Sequence, residues 1–263
     1  MEIAIIAGTG IYDPAILKNV QDNRLDTPYG PVDYRTGEYA SKEIVFIARH
    51  GSGHSIAPHR INYRANIWAL KKLGVQTIIS TTAVGSLNLD LKPGEFVFVD
   101  QFLDFTKNRE HTFYPGGERG VVHVDVTNPY CPSLRALLAE TAAQLNIPYH
   151  TKGTYVCTEG PRFETPAEIA MYAKLGGDLV GMTNVPEVTL AKEAEMCYAT
   201  ISMVTNLAAG ISPTPLTHSE VLAAMQTNIA NFKKLIMTAI ETLDPTADCS
   251  CRHALAEFGG FKL

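Results

Sequence analysis

The chain has 263 residues, 46% of them hydrophobic, and a formal net charge of −5. That is enough apolar material for one sizeable α/β core. The mild acidity, without a Lys/Arg block, argues against a nucleic-acid partner, and apolar runs such as residues 3–7 and 77–84 are far too short to span a bilayer. Glu2 and the short apolar run before Gly8 do not fit a signal peptide. The five cysteines are odd in number and mostly scattered, unlike a secreted disulfide framework, so the expected location is cytoplasmic.

In chain order, β-branched runs at 2–7, 44–48 and 77–81 read as strands. Between them, residues 62–73 carry the periodicity of an amphipathic helix closed by Gly74. A strand at 96–100 and a helix at 132–145 follow. Thr165-Pro-Ala-Glu168 is a capping box with proline at the first helical position, which predicts a helix to about residue 174. Strands at 179–182 and 199–205 flank a helix at 185–196. A second capping box, Thr217-His-Ser-Glu220, starts a long helix ending near residue 243. The alternation predicts an α/β fold with a mixed, largely parallel central sheet flanked by helices. It forms a single domain, residues 1–243, with an irregular tail, 244–263, packed on or near it.

Polar residues cluster just after the strands. Gly8-Thr9-Gly10 follows the first, Arg49-His50 the second, Thr82-Ala83 the third, Met182-Thr183 a later one, and Asn206 ends the last. In parallel sheets, ligands bind in the crevice beyond the strands' carboxyl ends. Hydroxyls, backbone N–H groups and a guanidinium gathered there make an oxyanion cradle, because the arginine fork donates parallel charge-assisted bonds.

Four motifs are long and ordered: Ala48-Arg-His-Gly51, Glu159-Gly-Pro-Arg-Phe-Glu-Thr165, Gly181-Met-Thr-Asn-Val-Pro-Glu187 and Val204-Thr-Asn206. Through them the chain resembles the trimeric purine nucleoside phosphorylase/methylthioadenosine phosphorylase family, from Ile3 to about Leu243. The resemblance implies that family's fold. It also implies phosphate-dependent, reversible cleavage of a purine nucleoside to free base and ribose 1-phosphate. Inorganic phosphate is then a co-substrate, no cofactor or metal is called for, and the assembly is a homotrimer or a dimer of trimers.

Residue by residue, the resemblance gives phosphate to Thr9, Arg49, His50, Thr82, Ala83 and Thr183. It sets Met182 against the ribose, Phe163 beside base or sugar, and Leu207 and Ala208 with Asn206 around the base. His123 reaches a neighbouring subunit's 5′ region, and His54 is a further candidate for phosphate or a ribose hydroxyl. Glu159 and Glu187 are expected to support the site rather than act in it.

Glu164 and Asn206 decide the base. A carboxylate only accepts, whereas a carboxamide donates as well. Together they match the N1–H and O6 of a 6-oxopurine such as hypoxanthine or guanine, and mismatch adenine. His218, in the first turn of the last helix, can donate to and accept from a 5′-hydroxyl. A methylthioinosine phosphorylase is the main alternative, since Glu164 and Asn206 serve it equally. The aminopurine branch has aspartate where this chain has Asn206 and Ala208.

Outside this class, a dinucleotide fold would want a further glycine where Asp13 stands. A non-catalytic nucleoside-binding protein would not need the phosphate cradle. Cys249-Ser-Cys251 has too few ligands for zinc by itself and reads as two free thiols, with a strained disulfide or a partial metal site as alternatives.

Overall fold

Strand β1 (Ile3–Ala7) is buried along its whole length, as an unbroken apolar run in a doubly covered sheet should be. Its side chains alternate between two cores. Ala4 and Ile6 join the core that includes Ile67 and Leu70 of α1 (Tyr63–Lys72) and Val188 of α4 (Asn184–Glu193). Ile3, Ile5 and Ala7 join the opposite core, with Leu138 of α2 (Pro132–Gln144) and Phe232 and Leu235 of α5 (His218–Thr242).

The computed structural model describes residues 1–8, 17–212 and 217–262. Its other strands are β2 (Lys18–Thr27), β3 (Gly30–Tyr39), β4 (Lys42–Ala48), β5 (Thr77–Ser86), β6 (Phe96–Phe98), β7 (Gln101–Phe105), β8 (Tyr149–His150), β9 (Thr154–Thr158), β10 (Leu179–Gly181) and β11 (Cys197–Leu207). A short helix, α3 (Pro166–Lys174), covers β9 and β10 through Ile169 and Tyr172.

The sheet is mixed and runs in the order β2-β3-β4-β1-β5-β10-β9-β7, with β11, β6 and β8 branching from β5. The antiparallel β2–β3 hairpin escapes the sequence reading because β2 is almost entirely polar and largely exposed. The helix starts agree with the sequence. Both capping boxes form, at Thr165 and Thr217, and the Asn62 side chain accepts from the Ala65 N–H at the start of α1. Several boundaries differ: β5 runs five residues past the expected 77–81, β6 stops at Phe98 rather than residue 100, and α4 ends at Glu193 rather than residue 196. Val185 keeps an extended backbone inside the first turn of α4, and β11 runs two residues beyond each end of the expected 199–205.

The branch point at β5 creates the site. Strand β1 pairs with β5 in parallel only up to Ile6↔Ser80. On the same side, β10 pairs with it antiparallel from Gly85↔Val180. Between these registers, Thr81 to Val84 pair with no strand on that side among the described residues, although β11 still pairs with them on the other. Thr82 therefore lies inside β5 rather than after its end. The expected crevice is a fork between two diverging strands.

Candidate active site

Chain segments converge on this fork. β1 delivers Gly8, β4 delivers Arg49 and His50, and β10 delivers Met182 and Thr183. They line a cleft of about 380 Å³ together with Thr82, Ala83, Phe163, Glu164, Asn206, Ala208, His54 and His218. That volume suits a drug-sized ligand. Thr9 lies outside the described residues.

Gly8 is there because nothing larger fits. Its N–H donates to Thr81 Oγ1 at 2.8 Å, and a Cβ on it would come within 2.4 Å of the Thr81 carbonyl oxygen. Gly181 is under the same constraint, since a Cβ would meet the Tyr155 hydroxyl at 2.0 Å.

Arg49 is 1% exposed and held on every side. Its Nε donates to Glu187 Oε2 and its Nη2 to Glu187 Oε1, each at 2.7 Å. Nη2 also donates to the Ser80 hydroxyl, and Nη1 to the Thr81 carbonyl. Four of the five N–H donors are thus committed to protein and one on Nη1 is left. Burial works against the charge, but the Glu187 carboxylate more than offsets it and keeps the guanidinium protonated. Glu187 Oε1 also accepts from Tyr198 at 2.8 Å and Ser80 at 2.9 Å. The ion pair aims one N–H and a fixed positive charge from the core at the cleft.

Beside it, His50 Nδ1 lies 2.8 Å from the Ile56 carbonyl oxygen. A carbonyl only accepts, so the proton sits on Nδ1 and Nε2 is left as an acceptor. Burial pushes the His50 pKa down to about 4, so the ring is neutral at physiological pH. The Thr82 hydroxyl shares a 2.9 Å hydrogen bond with Ser202. Thr183 is the N-cap residue of α4, with its side chain unused for capping, and it lines the cleft.

In the other part of the cleft, Glu164 and Phe163 rest on a loop, while Asn206 stands near the end of β11. Glu164 is 9% exposed and accepts from the Thr158 hydroxyl at 2.6 Å. Burial raises its pKa, and the Thr158 bond partly opposes that. Phe163 next to it is 39% exposed. The loop preceding them is tied down by Arg109, whose Nη2 donates to the Thr158 and Glu159 carbonyls at 3.1 and 3.0 Å. Its Nε lies 3.3 Å from the Glu159 carboxylate. Asn206 Oδ1 accepts from Thr205 at 2.7 Å, and its Nδ2 donates to the Leu207 carbonyl at 2.9 Å. One amide N–H and acceptor capacity are left for a ligand. Three imidazoles form a row, with His50 and His54 ring centroids 4.4 Å apart and His54 and His218 5.3 Å apart.

The fork gathers most residues singled out in the sequence, with two exceptions. Leu207 is not on the cleft wall, because strand alternation turns it away from the face that carries Asn206. His123 is exposed and also off the wall. Sequence reading passed over Ser55 to Pro58 and Val221, which line the cleft, and Arg109, which braces it. These residues carry no motif of their own. Only the tertiary contacts reveal them.

The phosphorylase superfamily profile matches residues 2–241. A curated relative described as a probable 6-oxopurine nucleoside phosphorylase, from Dictyoglomus turgidum, is 59% identical over 98% of each chain. An S-methyl-5′-thioadenosine phosphorylase from Thermofilum pendens is 47% identical, again over 98% of each chain. Among solved structures, methylthioadenosine phosphorylase from Schistosoma mansoni in complex with adenine superposes with a TM-score of 0.92 over 100% of each chain, at 33% identity.

Proposed function

Since the chain belongs to the phosphorylase superfamily, we propose that it catalyses reversible, phosphate-dependent cleavage of 6-oxopurine nucleosides, inosine and guanosine, to free base and ribose 1-phosphate. The observation that carries the choice of base is the acceptor-only Glu164 carboxylate, buried in the same cleft as Asn206. Relatives at 54–59% identity that are described as 6-oxopurine nucleoside phosphorylases support it.

In this reading, phosphate lies at the fork. It takes the remaining Arg49 N–H, the Thr82 and Thr183 hydroxyls, the Ala83 N–H and Thr9. His50 Nε2 accepts from a protonated phosphate oxygen. The C1′–N9 bond breaks toward an oxocarbenium-like ribosyl group while a phosphate oxygen attacks C1′ from the opposite face. The bonding electrons go to the purine. Asn206 stabilises that charge by hydrogen bonding N7 or O6, and Glu164 accepts N1–H. Phosphate supplies the nucleophile, so the protein positions reactants and stabilises charge.

Met182 and Phe163 flank the sugar and base. His218, in line with His54, meets the 5′-hydroxyl. In a homotrimer or dimer of trimers, His123 would reach a neighbour's 5′ region. Phosphate is a co-substrate, and the reading calls for no other cofactor. No helix among the described residues is long and apolar enough to cross a membrane, in keeping with a proposed cytoplasmic location.

A phosphorolysis panel of inosine, guanosine, adenosine, methylthioinosine and methylthioadenosine tests the reading. Inosine or guanosine should exceed adenosine by at least about 100-fold in kcat/KM, within the range a site built for one hydrogen-bonding edge can reach. Comparable rates on adenosine and inosine would sink the assignment of Glu164 and Asn206. A strong preference for methylthioinosine would move the chain to that branch.

A further inference from the structure

At the end of β11 remote from the cleft, four cysteines from three distant segments converge. Cys197 opens β11, Cys131 is the N-cap residue of α2, and Cys249 and Cys251 come from the tail. Asn206 lies nine residues further along the same strand, about 30 Å away at ~3.3 Å per residue. All four sulfurs lie within 4.8 Å of one another, with Cys131 and Cys249 3.6 Å apart. Three of the four residues are buried and Cys249 is half-buried.

We infer that Cys131, Cys197, Cys249 and Cys251 form a tetrathiolate site for a structural zinc ion. Zinc bound tetrahedrally at ~2.3 Å from each sulfur requires sulfur–sulfur edges of about 3.8 Å, whereas a disulfide needs about 2.05 Å. The Cys131–Cys249 separation of 3.6 Å lies close to that edge and far from a disulfide, and the other sulfurs fall within 4.8 Å. Four sulfurs leave no open coordination position, which is the pattern of a structural rather than a catalytic zinc. Soft thiolates favour zinc over the hard, oxygen-seeking divalent cations.

A cation stands beside the cluster. The Lys192 ammonium approaches Cys251, its Nζ 3.9 Å from the sulfur. Cys131 has the positive end of α2 beside it. Metal binding replaces each remaining S–H bond with an S–Zn bond and releases the protons to solvent. The product carries two negative charges, and Lys192 faces them.

The site would fasten the tail to the domain. Beyond Cys251, the Leu255 and Phe261 N–H groups both donate to Glu195 at 3.0 Å, and Phe261 packs against Phe113 and Tyr114. An ion bridging the tail to α2 and β11 would lock this segment in place.

The test uses the full chain, purified under reducing, anaerobic conditions and supplied with zinc. We expect about one zinc per chain that survives gel filtration, and four sulfur scatterers at ~2.3 Å in X-ray absorption. Cobalt substitution should give thiolate charge-transfer bands. Cys131→Ser and Cys251→Ser should each lose the metal and lower Tm, with kcat retained. For the wild type alone, a strong chelator should lower Tm and expose the tail to protease. Substoichiometric zinc, cobalt spectra without thiolate bands, or disulfides linking these cysteines in the reduced preparation would each overturn the assignment.

Discussion

The two parts of the cleft are built differently. At the fork, Arg49 and Glu187 have fully buried side chains and are held by Ser80, Thr81 and Tyr198 from two central strands. At the base end, Glu164 and Phe163 sit on a loop, and the Asn206 side chain hydrogen-bonds to its sequence neighbours Thr205 and Leu207. The first arrangement cannot adjust without disturbing the core, while the second can change by substituting loop residues around Glu164 or the side chain at the end of β11. This division suits a family whose members share a co-substrate and differ in nucleoside. Relatives in both the oxopurine and the methylthioadenosine groups align along nearly the whole chain.

The largest test of this contrast is to break the buried pair. Glu187→Ala leaves the Arg49 charge uncompensated in the core and should cost about 3–5 kcal/mol of stability, read from urea unfolding. The Arg162–Glu168 pair spans a similar 2.7 Å but is exposed, and Arg162→Ala should leave Tm nearly unchanged. Equal losses at the two sites would mean that burial is not what distinguishes the fork.

At the base end the effect should fall on activity instead. On the proposed reading, Glu164→Gln removes a charged acceptor for N1–H, worth roughly 1.5–3 kcal/mol, or about 10- to 150-fold in kcat/KM for inosine. Its unfolding midpoint should move little. A variant with full activity on inosine would remove Glu164 from base recognition.

His50 sharpens the comparison through pH. Its folded pKa is about 4, below the ordinary value of about 6.5. Between these values the unfolded chain binds the proton more readily. The contribution is therefore fully present above about pH 6.5 and is lost as pH falls toward 4. Of order 2–3 kcal/mol of stability should disappear across that window, and His50→Asn should flatten this limb of the stability profile. An unchanged profile in the variant would assign the acid loss to other groups.

The smallest expected effect is at the 5′ end. His218→Ala should slow inosine by about 10-fold, the worth of roughly one hydrogen bond, and slow methylthioinosine much less. Equal losses on both would remove the 5′-hydroxyl from its role.

Much of this was legible in the sequence, because it depends on near neighbours. The capping boxes at Thr165 and Thr217 need only residues three apart, and unbroken apolar runs such as Ile3–Ala7 announce buried strands. Glu164 and Asn206 stood out through their motifs, and both line the cleft. What the sequence could not decide were the long-range pairings. Glu187 looked like a supporting carboxylate, but only the packing of α4 against the sheet brought it onto Arg49, 138 residues away. Thr82 seemed to end a strand until β1 and β10 were seen to part on the same side of β5. Cys249 and Cys251 had too few partners until the starts of α2 and β11 supplied two more. Caps and periodicity follow from bonds within a turn or a strand. Forks, buried ion pairs and convergent thiols depend on how strands register and helices dock, and only the folded chain fixes those.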